Sequence, residues 1–213
     1  MATSVTSWIP YIAAAVPMCP DPVIERAVVD ACRDFCQHTL LWDENQLAAI
    51  NILDGTHTYT LASTSGDIAV VDYVEVDSVP IFPTSVNEMN KTCVEWRDTV
   101  AKRSTRYIVG MADTIRLIYE PDEDVTGGLK VWVCLKPLES ATTVQDFLWR
   151  DYRDAIANAA KAALMEMPGM DWTNPQLGAF FQEKYEAARA TAMMKKFTGR
   201  TRHELSATPV FFA

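Results

Sequence analysis

Hydrophobic periodicity changes twice along the chain. Before the first change, Met1 to Cys19 has no period: Pro10 and Pro17 break it, yet Trp8, Ile9, Tyr11 and Ile12 make it too apolar for a free tail. An irregular arm lying on another surface, its own or a neighbour's, is expected. Asp21 then offers an N-cap and Pro22 suits the first helical position. Ile24, Ala27, Val28, Ala31, Cys32, Phe35 and Cys36 recur three and four apart and share one helix face, with Glu25, Arg26, Asp30, Arg33 and Asp34 largely opposite. This helix is predicted to end between Thr39 and Trp42.

From about Gln46 to Leu138 the period is 2, the signature of strands. Ile50 and Ile52 lead to a turn at Asp54-Gly55; His57, Tyr59 and Leu61 alternate with threonines; Ser65-Gly66-Asp67 reads as a turn before the β-rich run Ile68 to Val76. Arg106 to Val109, Thr114 to Tyr119 and Leu129 to Leu135 complete the set. The last two flank the acidic loop Pro121 to Gly128, so a hairpin is expected between them. Ser85 to Arg106 reads only as surface. With no helix-length segment between strands, the region is predicted to be antiparallel.

The helical period returns at Phe147, Leu148, Tyr152, Ala155, Ile156, Ala159, Ala163 and Met167, with Thr142 or Thr143 as cap and Pro168-Gly169 as stop. Asn174-Pro175 starts a second helix through Phe181, Tyr185, Ala188 and Ala192 to about Phe197, and Gly199 stops it. The expected fold class is α+β. Long helices from 21–42 and 143–197 form a helical core, 43–142 is an inserted antiparallel β domain, 1–20 is an N-terminal arm, and 198–213 is an extended C-terminal tail.

Composition narrows the function. Of 213 residues, 49% are hydrophobic and 22% charged, which suits a folded chain rather than a disordered one. The net charge of −9 argues against a protein whose main task is gripping nucleic acid. That charge is uneven: residues 41–142 hold 16 acids and 8 bases (net −8), 143–197 hold 7 of each, and 198–213 hold two arginines against one glutamate (net +1). No signal peptide is predicted, and no apolar run approaches the roughly 20 residues that span a bilayer. Five cysteines at irregular spacing suggest reduced thiols in a cytosolic setting.

No catalytic motif emerges. Cys32 and Cys36, four apart with His38 nearby, could touch one metal, but buried core thiols are the better reading because structural zinc sites draw on two such clusters. Glu120, Asp122, Glu123 and Asp124 lack the alternation and distal glutamate of a calcium loop and read as a solvated acidic turn. Neither a cofactor nor a metal is expected. The one basic cluster is Lys195, Lys196, Arg200 and Arg202. It complements a helix C-terminus, or it meets an acidic partner surface or passing DNA.

The order of several segments resembles head-to-tail adaptor (connector) proteins of tailed bacteriophages. The opening similarity is Val16 to Ile24, running into Ala31 to Thr39 and Trp42. Thr58-Tyr59-Thr60-Leu61, Arg116 to Pro121 and Val131 to Pro137 are similar to family strands. Asp151-Tyr152, Ala155 to Ala157, Leu164 to Pro168, Trp172 to Pro175 and Tyr185-Glu186 complete the series, which spans about Pro17 to Phe197.

The resemblance implies a virion protein at the head–tail interface, assembled in the host cytoplasm. It would form a ring, a dodecamer in the family, beneath the portal protein and extend the DNA channel towards a downstream tail protein. DNA would pass without specific binding, and an acidic or neutral lumen would repel phosphate. The family's C-terminal extension grips the portal, which makes Pro209, Val210, Phe211, Phe212, Trp8 and Tyr11 the expected portal or neighbour contacts. The phenylalanine pair could instead fold back on its own core. Another phage neck or tail component, such as a tail-completion or nozzle protein, is the alternative. An enzyme or ligand-binding domain would instead need a concave pocket with convergent polar groups.

Overall fold

The computed structural model describes residues 2–43, 45–93, 95–111 and 113–198. In chain order the elements are β1 (Ala2–Ser4), a 3-10 turn (Val5–Trp8), α1 (Ile9–Ala13), α2 (Asp21–Thr39), β2 (Asn45–Gln46), β3 (Ile50–Ile52), β4 (Thr58–Thr60), β5 (Asp67–Val76), β6 (Val79–Pro83), α3 (Val86–Thr92), β7 (Arg106–Val109), β8 (Thr114–Leu117), β9 (Val125–Lys136), β10 (Thr143–Gln145), α4 (Asp146–Met165) and α5 (Pro175–Thr198). Two compact units result: Met1–Leu41 with Pro137–Ala213, and Trp42–Lys136.

The expected helical core of long helices, with β structure as an excursion from it, is overturned. The protein is mixed α/β, with five short to medium helices among the described residues and a curled eight-stranded sheet, a half-barrel, as its dominant body. The reason lies in self-sufficiency. Strands β2 to β9 pair in the order β2-β9-β5-β6-β7-β8-β4, with β3 also on β9. They bury Ile52, Tyr59, Leu61, Val74, Val76, Ile81, Tyr107, Ile115, Leu117, Leu129, Val131, Val133 and Leu135 against one another. Such a sheet supplies its own apolar partner. Register shifts in β5 between Ile68 and Val70 and between Val71 and Tyr73 add the local twist that curls it.

Two topological expectations also fall. β8 does not form a hairpin with β9: it pairs with β4 and β7, while β9 pairs with β5, β3 and β2. The sheet is not purely antiparallel, because β6 and β7 run parallel, Phe82 opposite Arg106. Residues 84–105 supply the crossover a parallel pair needs. They are not merely surface, since they fold as α3 and a following turn, with Met89 and Trp96 buried beside Ile118. A hairpin absent from the sequence reading joins β5 to β6. Asp77 and Ser78 both take positive φ (52° and 60°), as a two-residue type I′ turn requires. Gly66 is obligatory for a different reason: a Cβ there would meet the Lys136 carbonyl oxygen at 2.5 Å and the Trp42 ring at 3.1 Å.

In the other unit, α2 packs on α4 and α5. Pro20, not Asp21, is the cap of α2, and Leu40 closes the helix in the left-handed region (φ 53°). Thr143 lies in β10 and not at a helix start; α4 begins at Asp146 and is interrupted at Tyr152 (φ −132°, ψ 17°), where the ring lies 4.8 Å from Phe35. Asn174 does cap α5, accepting the Leu177 N–H at 3.1 Å. The N-terminal arm is ordered: β1 pairs with β10, and Val5, Trp8, Ile12 and Val16 are buried against α2 and α4 residues. Residues 199–213, the expected tail, lie outside the described residues.

Candidate assembly surface

The arm reaches the α4 surface through aromatic contacts. Trp8 is 0% exposed; its Nε1 donates to the Arg153 carbonyl at 3.2 Å, and its ring meets Trp149 edge-on at 4.8 Å. Tyr11 packs edge-on against the same Trp149 at 5.6 Å, with the Arg153 guanidinium 4.7 Å above its ring and 3.4 Å from its hydroxyl. Tyr11 is nevertheless 42% exposed. Of the two expected aromatic contacts, Tyr11 faces outward and Trp8 anchors it from beneath.

The expected basic cluster is only partly within view. Lys196 Nζ donates to the Leu40 carbonyl at 3.0 Å, supplying a cation and donor where α2 ends. Lys195 is exposed and sits 5.6 Å from the Tyr152 ring. Arg200, Arg202, Pro209, Val210, Phe211 and Phe212 lie outside the described residues.

The α5 helix carries two apolar stripes. Gly178, Phe181, Tyr185, Ala188 and Ala192 form the inner one, buried or half-buried. Leu177, Phe180, Ala187 and Met194 recur three, seven and seven apart on the outer face, interrupted by Lys184 and Thr191. Phe180 is 47% and Met194 57% exposed, and Met193 beside them is 44% exposed. Sequence reasoning found the inner stripe and missed this one. Its signal was present: Leu177, Phe180, Ala187 and Met194 are apolar positions of α5 that fall outside the inner stripe.

Polar residues converge beside α5. A cleft of about 290 Å³ between α2, α4 and α5 has Ala27, Ala31, Ala159 and Ala163 among its lining, with Asp34 and Tyr185. Asp34 is a hub. It accepts from the Tyr185 hydroxyl and from Arg189 Nη1 (3.3 Å), and His38 Nδ1 lies 3.2 Å away. Burial, then the hydrogen bond to Asp34 and its charge, hold the Tyr185 hydroxyl far above its ordinary pKa. A second cleft of about 380 Å³, between α4 and α5, is lined by Arg150, Asp151, Arg153, Asp154 and Lys195 among others. Arg150 pairs with Asp151 and Arg153 with Asp154, so its charges are largely matched within the helix.

The remaining sequence candidates are accounted for locally. None of the five cysteines forms a disulfide; burial pushes the Cys36 thiol up to about 12 and raises Cys32 as well, so both stay protonated at neutral pH. Among the described residues, no group of three or more His, Cys, Asp or Glu could hold a metal ion. In the acidic turn, Asp124 accepts the Asp54 N–H at 2.7 Å and Glu123 lies 3.2 Å from Lys102. No helix among the described residues is long and apolar enough to cross a membrane.

Compared with protein-family models and with curated proteins, the sequence matches none.

Proposed function

We propose that this is a structural assembly protein that packs against further copies of itself. The observation that carries the reading is the outer stripe of α5, where Leu177, Phe180 and Met194 stay exposed at helical spacing on a helix whose other face is already covered. Apolar side chains grouped in this way mark interaction surfaces in soluble proteins. Exposed Tyr11, held by Trp149 and Arg153, adds a rigid aromatic contact on the same unit.

Within that class, the reading is a ring-forming head-to-tail adaptor of a tailed bacteriophage, at the head–tail interface of the virion, between the portal and a downstream tail protein. Its support is the ordered similarity of segments from Pro17 to Phe197. An acidic surface repels phosphate and would suit a DNA passage, and 42–136 holds 15 acids against 8 bases (net −7).

Mass measurement in solution tests the class. The wild type should run as a multiple of the 23.8 kDa chain, and Phe180→Asp should run as a folded species of lower order. A wild type that stays monomeric at every concentration sinks the assembly reading. Electron microscopy with purified portal protein tests the adaptor reading, and a truncation lacking Ser206 to Ala213 should still fold but fail to join the portal. Normal attachment of that truncation refutes the tail's assigned role.

A further inference from the structure

We infer that Phe180 of one copy, with the Lys184 ammonium above its ring, seats in the alanine-lined cleft between α2, α4 and α5 of the next copy. The inference rests on the self-assembly reading and names the surface that receives the outer stripe of α5. The inserted group is a compound one. Phe180 is 47% exposed, and Lys184 Nζ lies 4.3 Å from its ring centroid, so ring and cation present one face. Phe181 braces the ring edge-on, with 5.6 Å between centroids. Lys184 forms no ion pair among the described residues, which leaves its charge for a neighbour to answer.

The cleft matches that group in size and in sign. It holds about 290 Å³. An apolar cavity of about 150 Å³ suffices for a benzene ring, so room remains for an ammonium at the rim. Ala27, Ala31, Ala159 and Ala163 line it with small side chains that leave the space a phenyl ring fills, and α2 adds Asp30 and Asp34. The charge of these carboxylates is incompletely cancelled. Arg26 is shared between Asp30 at 3.1 Å and Glu139 at 2.6 Å, and Arg189 lies 3.3 Å from Asp34. Three carboxylates against two guanidiniums leave the network at −1, the sign that Lys184 requires, and His38 adds charge only once protonated.

Position on α5 sets how copies join. Gln182, Tyr185 and Arg189 line the cleft, and at about 100° per residue they lie roughly 140° to 200° around the helix from Phe180. Ring and cleft therefore face opposite sides of α5. Opposite sides of one helix meet different neighbours, so the contact is heterologous. It passes from copy to copy and closes into a ring where the rotation allows.

The test is sedimentation of the full chain over a concentration series, with circular dichroism as the check on folding. Phe180→Asp removes the ring, and Ala163→Trp, at an exposed position, fills the cleft. Each variant alone should run as the 23.8 kDa monomer. Mixed at equal concentration they should form a two-chain complex and nothing larger, because one intact ring and one intact cleft remain. Lys184→Glu should raise the dissociation constant roughly fivefold, the strength of a rim ion pair. Adding Asp30→Lys to the same chain should return it to within about twofold of wild type. Should the tryptophan disturb the fold, this charge exchange decides. The inference is overturned if folded Ala163→Trp assembles like the wild type, if the mixture stays monomeric, or if Asp30→Lys restores nothing to Lys184→Glu. A wild type that is monomeric throughout refutes the self-assembly reading as well, whereas an assembling wild type with no response to these changes refutes the cleft alone.

Discussion

In the unit Met1–Leu41 with Pro137–Ala213, contacts join segments that are far apart in sequence. Trp8 meets a carbonyl 145 residues away, Tyr185 reaches Asp34 across 151, and Lys196 reaches Leu40 across 156. In the unit Trp42–Lys136 the partners come from one continuous stretch, whose ends meet where the Leu135 N–H donates to the Trp42 carbonyl at 2.8 Å. The first unit must close a loop of about ninety residues before its core exists, at an entropic cost that grows only slowly with length. The second draws the buried core of its sheet from that stretch alone. One chain thus contains a core assembled from distant segments and a core that is local in sequence.

The largest effect that can break this contrast comes from Trp8→Ala. Trp8 is fully buried, so the change removes its packing and leaves the Arg153 carbonyl without its donor, a loss of about 3–5 kcal/mol. Hydrogen exchange read by mass spectrometry should show α2, α4 and α5 exchanging faster while β5 and β9 keep their protection. Equal loss in both units would mean that they unfold as one. The reciprocal change, Ile115→Ala in the sheet core, should cost about 2–4 kcal/mol and expose β7, β8 and β4 first. If α2 and α4 lose protection to the same degree, the second unit is not independent either.

The same contrast explains what the sequence made legible. The helical stripe from Ile24 to Cys36 and the inner stripe of α5 could be read because each helix buries one face at a period of 3.6, whatever it packs against. Strand pairing could not be read that way. β7 and β8 were placed almost residue for residue, yet β8 was given the wrong neighbour, since a period of 2 says which face is buried and nothing about which strand lies alongside. The β5–β6 hairpin was missed because Asp77-Ser78 carries its two positive φ values without a glycine. The contact of Arg116 with Trp96, 4.9 Å from guanidinium carbon to ring centroid, was hidden for a related reason. Arg116 is one polar position in an alternating strand, and only the crossover through α3 brings an indole onto it. At the surface of α5, Leu177, Phe180 and Met194 were visible as residues, but an outer stripe becomes distinct only once the inner one is assigned to α4.

The smallest effect expected is also the one that separates the units by pH. Tyr185→Phe removes a hydroxyl that donates to Asp34, and should cost about 1–2 kcal/mol at pH 8. Burial and the hydrogen bond to Asp34 hold Tyr185 protonated in the folded state well above the ordinary tyrosine pKa of about 10. Its contribution is therefore complete below about pH 10, where the unfolded tyrosine is also neutral, and declines above it as the unfolded chain gains by ionising first. The stability gap between wild type and Tyr185→Phe should shrink as pH rises from about 8 to 11. In the sheet unit, burial also raises Tyr59 and Tyr107, and these keep their alkaline sensitivity in the variant. Denaturant unfolding followed separately through α2 and through β9 by hydrogen exchange distinguishes the two. A gap that stays constant over this range would show that the hydroxyl contributes by packing alone, and that Asp34 is held by Arg189 without help from Tyr185.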